Sequence, residues 1–207
     1  MAIEKHMNAL ADFLPPGTFE LVVKYLHHYK VHLTVTRERS SVLGDYRNAV
    51  HGKNHRISVN GNLNHYAFLI TLVHELAHLV TFMEYGNRVQ AHGREWKHVY
   101  RLLLVPFLDM PVFPADVLTA LRSSLHNLPA SSCADEPLMR VLRRYDKKEE
   151  GMLLVEELPE GALFVLDDGK IFKKGQRLRK RFQCIEVKSG KLYLFSPIYE
   201  VKKLAVK

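Results

Sequence analysis

The chain of 207 residues is poor in cysteine, and residues 127–207 contain no histidine at all. Its two thiols, Cys133 and Cys184, lie far apart in sequence. That excludes a disulfide framework and fits a reducing cytosol. There is no unbroken apolar run of about 18 residues, so no membrane-spanning helix is expected. The opening MAIEKHMNALADF is mixed polar and carries acids; it lacks the apolar centre of a secretory signal, and a cytoplasmic location is expected. What the chain does have is a hydrophobic content of 47%, enough for a real core, with an ordinary 25% of charged residues. Its formal net charge is +8 and its pI about 9.4, a basic balance that suits an acidic partner such as nucleic acid.

The special residues are unevenly placed. All twelve histidines lie at or before His126, whereas the span from Gly169 to Lys191 holds nine Lys/Arg against a single acid, Glu186. This divides the chain into a histidine-bearing part, residues 1–140, and a small basic module, residues 150–207, with the charged segment 134–151 as connector. Residues 3–13 and 18–30 read as helices interrupted by Pro15, Pro16 and Gly17. VHLTVT (31–36) and RISVN (56–60) alternate apolar with polar residues and read as strands; the stretch between them, with its two glycines, reads as a loop. Asn60, Gly61, Asn62 and Asn64 supply turn and helix N-cap chemistry before a helix from about residue 64 to 85, with Gly86 as its terminator. Further helices are expected at 92–104 and 114–125. From 152 onward, short alternating runs separated by turns predict an antiparallel β module.

The chemistry concentrates in HELAHLVTFMEYGNRVQAHGREW, residues 74–96. At about 100° per residue, His74 and His78 stand ~40° apart and one turn along a helix, so both imidazoles can reach one ion. Glu75 lies ~60° from His78, on the flank, where it can serve a water without ligating. Phe68, Leu69, Leu72, Leu76, Leu79 and Met83 surround this helix with apolar residues, so it is buried. Two histidines and a glutamate inside it are costly unless paired or metal-bound. A hydrolytic zinc takes three protein ligands and one water. His92, His98, Glu84 and Glu95 are the candidates for the third. His92 is favoured because the start of a helix, after the Gly86 loop, brings a side chain back over the metal. His98 lies about 240° further round the second helix, and Glu84 sits too far along the first.

HELAH followed by HGREW resembles the SprT-like family of zinc metallopeptidases, which follow HExxH with a third histidine in an HGxxW-type segment. LGDYR (43–47) and HRISVN (55–60) are also similar to the region before the family's helix, and the resemblance spans about residues 15–125. It implies an α+β fold with a compact zincin-like (minigluzincin-type) core, Zn2+ on His74, His78 and His92, and peptide-bond hydrolysis with Glu75 as general base. It also suggests a link to DNA through the related enzyme Spartan, which degrades proteins crosslinked to DNA. Many members end in a four-cysteine zinc ribbon. With two cysteines and no histidine, residues 127–207 cannot build such a site, so the tail is expected to resemble a metal-free ribbon and the chain to bind one zinc. Tyr46 and Arg94 are candidates for stabilising an oxyanion, and RISVN for offering a strand edge to a peptide.

In the tail, Lys173, Lys174, Arg177, Arg179, Lys180 and Arg181 are interleaved with Phe172, Phe182, Tyr193 and Phe195. Such residues can track phosphates and stack on bases. Two functions follow: a zinc metalloprotease acting on a protein or peptide, with DNA as a further partner, or a non-catalytic zinc protein associated with nucleic acid. The intact Glu75 favours the first.

Overall fold

The computed structural model describes residues 6–39, 42–49, 54–126, 128, 135–147 and 151–204. The chain divides into two compact units, Met1–Asp146 and Lys147–Lys207. Cys133 lies outside the described residues.

The first unit opens with a 3-10 helix, Met7–Phe13, followed by α1, Phe19–His28. Three strands come next: β1, Val31–Thr36; β2, Gly44–Arg47; and β3, His55–Asn60. They form one sheet in the order β1-β3-β2, with β3 parallel to β1 and antiparallel to β2. The strand expected at 56–60 is therefore central, with both edges paired, and cannot offer an edge to a peptide. The edges belong to β1 and β2, the latter inside the stretch read as a loop. Ile57 and Val59 are buried on one face of β3, as their alternation requires.

Helix α2, His65–Tyr85, is the axis of this unit. Asn64 caps it: its Oδ1 accepts from the backbone N–H groups of Tyr66 and Ala67 at 3.1 and 3.0 Å. Gly86, at φ +61°, closes it by donating its N–H to Phe82 O. By length and composition α2 could cross a membrane, yet it is mostly buried within the protein. Its apolar residues pack against β2, β3 and α3, which spans Arg94–Leu108. Helix α3 starts two residues later than expected and continues four residues further, through Pro106. Helix α4 spans Ala115–His126. The segment read as a connector contains α5, Glu136–Leu142, which sends Leu138 and Leu142 into the same core.

The second unit contains β4, Met152–Leu154; β5, Leu163–Val165; β6, Ile171–Leu178; β7, Arg181–Glu186; β8, Leu192–Phe195; and β9, Glu200–Lys203. They form a six-stranded sheet in the order β4-β9-β5-β6-β7-β8, every described pairing antiparallel. Phe164, Phe172, Phe195, Val201 and Cys184 form its core. The β6–β7 register shifts between Lys174 and Arg177. Gly175 makes that possible, since a Cβ there would come within 2.6 Å of Gln183 O.

Candidate metal centre

One face of α2 carries His74, Glu75 and His78. The first two are 6% and 7% exposed, a costly burial for groups that water would otherwise solvate. The chain leaves α2 at Gly86 and returns at His92, whose backbone adopts φ +60°. A non-glycine residue in this left-handed region is uncommon and carries strain, which recurs at functional sites. The return brings His92 Nε2 to 3.1 Å from His74 Nε2 and 2.9 Å from His78 Nε2; the third side of the triangle is 3.2 Å.

Hydrogen bonds cannot account for this triangle. Each ring nitrogen of a neutral imidazole is either a donor or an acceptor. Among three mutually facing nitrogens at least two have the same role, so at least one close contact is repulsive. A cation in front of all three resolves it, because every nitrogen then presents a lone pair. Tetrahedral zinc with bonds of about 2.0–2.1 Å separates neighbouring ligand nitrogens by ~3.3 Å, close to the spacing here. Among the described residues, these three histidines form the one group of His, Cys, Asp and Glu arranged to hold a metal ion. His98 and Glu84 are exposed, and neither they nor Glu95 joins the group.

The electrostatics suit ligation. Burial, with the neighbouring histidines second, lowers His74 to about 3 and His78 to about 4. His92 is lowered by burial and then by Lys97. All three rings are thus neutral at pH 7, the form that binds metal. Trp96, in the first turn of α3, lies under them: its ring centroid is 4.6, 5.3 and 4.7 Å from those of His74, His78 and His92. It stacks in turn on Tyr100 at 5.0 Å and 12°. This aromatic floor was not read from the sequence, although His92, Trp96 and Tyr100 recur at four-residue spacing.

Glu75 faces β2. A Cβ on Gly44 would lie 2.8 Å from Glu75 Cγ, from its Oε1 and from Thr71 Cγ2, so glycine alone lets the strand approach this closely. Burial is the main cause that pushes the Glu75 carboxyl up to about 8, reinforced by Asp45. Arg39 and the backbone N–H of Tyr46, which hydrogen-bonds to the carboxylate, act in the opposite direction. A cation on the adjacent histidines adds a further pull toward the ionised form. The Tyr46 hydroxyl is engaged elsewhere, on His55 Nδ1 at 2.9 Å, and burial pushes it to about 12. Arg94 is exposed at the start of α3.

Of the tail residues, Lys173, Arg177, Arg179, Lys180 and Arg181 are exposed, the last four around the β6–β7 turn. Lys174 differs: it is 5% exposed and donates to Leu158 O and, at 3.3 Å, to Glu156 O. Its ammonium also lies 4.1 Å from the Phe182 ring centroid. Lys174 is part of the β unit's interior, not of a phosphate-binding surface.

Comparison with known proteins gives a family model and several relatives. Residues 20–112 match the model of the SprT-like family. The protein SprT of Pseudomonas putida, in three strains, is 52% identical over 31 residues, which are 15% of this chain. The match spans about a fifth (19%) of those relatives' length. No solved structure matches the chain.

Proposed function

We propose, from the SprT-like domain that the chain carries at residues 20–112, that it is a zinc-dependent metallopeptidase with a zincin-like core, holding one Zn2+ on His74, His78 and His92. The triangle of three Nε2 atoms is the observation that carries this reading. Three histidine ligands leave a tetrahedral ion one open position, as hydrolytic zinc requires, whereas structural zinc sites are closed by four protein ligands. Bound zinc would supply Lewis acidity to a scissile carbonyl and to a water molecule.

The protein's own part falls to Glu75. Its carboxylate takes a proton from the attacking water as the new C–O bond forms. It returns that proton to the amide nitrogen as the C–N bond breaks, so the proton count closes. The backbone N–H of Tyr46 fixes the carboxylate for both transfers. As the sheet's edge strand beside Glu75, β2 offers main-chain groups to an extended substrate. Action on DNA-associated proteins is the finer part of the reading. It is supported by the exposed Arg177, Arg179, Lys180 and Arg181 around one hairpin turn, where they can contact phosphates.

The test is cleavage of a denatured protein substrate, with and without DNA, by wild type and Glu75→Gln. Cleavage by wild type is expected to fall roughly 10³-fold in Glu75→Gln, with metal content unchanged. Metal bound but no cleavage by wild type under either condition would assign the site to a non-catalytic zinc protein.

A further inference from the structure

The second unit leaves apolar surface uncovered in one place. On the face of β7 and β8 turned away from the core, the register sets Ile185 beside Leu192 and Gln183 beside Leu194, with Lys173 of β6 on the other side of Ile185. Ile185, Leu192 and Leu194 are 43%, 59% and 54% exposed, and Val187, just past β7, is 56% exposed. β8 is also the terminal strand of its sheet, with no described strand on its outer edge. Exposed sheet edges are ordinarily blunted by charge, by proline or by a covering element. β8 reads LYLF and carries neither charge nor proline.

The surrounding charge indicates what covers it. Lys173, Lys188 and Lys191 are exposed around these side chains. The only acid between Gly169 and Phe195 is Glu186, which is buried and accepts from Ser189 Oγ. We propose that the β8 edge and its adjoining face dock an acidic, extended segment of a protein partner. The segment adds to β8 as a further strand. It places apolar side chains on Ile185, Leu192 and Leu194, and carboxylates on Lys173, Lys188 and Lys191. A second copy of this chain would set the same lysines against each other. Nucleic acid would satisfy the lysines but stacks on rings, and the exposed side chains on this face are aliphatic. The inference stands independently of the metal centre.

The test uses the full chain and fluorescence anisotropy with three short probes: a peptide alternating Glu with Val, its Lys–Val counterpart, and oligothymidine. The acidic peptide is expected to bind, to weaken as ionic strength rises, and to lose roughly tenfold in affinity in the double variant Leu192→Ser/Leu194→Ser. Lys188→Glu/Lys191→Glu is a second variant, in exposed positions, and should lose a similar factor. Equal binding of both peptides, or acidic-peptide binding untouched by either variant, overturns the proposal. So does oligothymidine binding that the neutral serine variant abolishes, which would assign the face to nucleic acid. A dimer of the full chain that dissociates in the serine variant would assign it to a second copy instead.

Discussion

The two units bury polar groups in opposite ways. In the β unit, buried Lys174 is satisfied by the carbonyls of Leu158 and Glu156, and buried Glu186 by Ser189. Those charges are closed within the protein and belong to its architecture. In the first unit, His74, His78 and His92 turn their Nε2 atoms on one another in a way that no arrangement of protons satisfies. Burial alone therefore does not mark a site. A site is marked by buried polar atoms that converge and remain incomplete without a further group.

The largest effect on this contrast should come from His92→Ala. It removes one of three ligands, so zinc affinity should fall by well over the ~100-fold typical of losing an outer-shell partner. Competition with a chromophoric chelator reads it directly, and a loss of a few-fold would remove His92 from the ligand set. Gly44→Ala comes next. The new Cβ overlaps Glu75 and Thr71, which should cost ~1–3 kcal/mol in urea unfolding and reduce cleavage while the zinc stays bound.

Removing the metal should expose the pH dependence of the bare site. For His74 and His78, lowered to about 3 and about 4, the unfolded chain binds more protons from there up to its own value of 6.5. Stability therefore rises with pH across that window. For Glu75, raised to about 8 from 4.5, the folded chain keeps a proton that the unfolded chain has lost, so stability falls between those values. Two histidines outweigh one carboxyl below 6.5, and above it only Glu75 acts. The urea midpoint of chelator-treated protein should peak near pH 6.5 and decline toward pH 8. A midpoint still climbing at pH 8 would contradict the burial assigned to Glu75.

The smallest effects sharpen the other side of the comparison. Lys174→Met leaves two carbonyls without their donor and should cost about 1–3 kcal/mol. Arg179→Ala should leave stability within about 0.5 kcal/mol. If the hairpin turn contacts phosphates, it should reduce the salt slope by about one.

Much of the first unit was legible in the sequence because its signals are periodic. His74 and His78 are one helical turn apart, VHLTVT alternates along β1, and Asn64 and Gly86 bracket α2 with cap chemistry. His92 was reachable because a glycine-ended loop and a new helix constrain where the chain can return. The strand β2 was not, since it is only four residues long, begins with glycine and owes its extended form to pairing with β3. Helix α5 was hidden because only Leu138 and Leu142 are buried among charged neighbours. Lys174 looked like its basic neighbours. The signal that separates it is phase: it lies two residues from buried Phe172 on the same face of β6 and opposite buried Cys184.

The most direct test of the account is the metal content of the full chain, purified without added metal and measured by elemental analysis. A metal bound only by the histidine triangle, with none in the β unit, requires one zinc per chain. Two zinc ions, or one that survives in His74→Ala/His78→Ala, would contradict it.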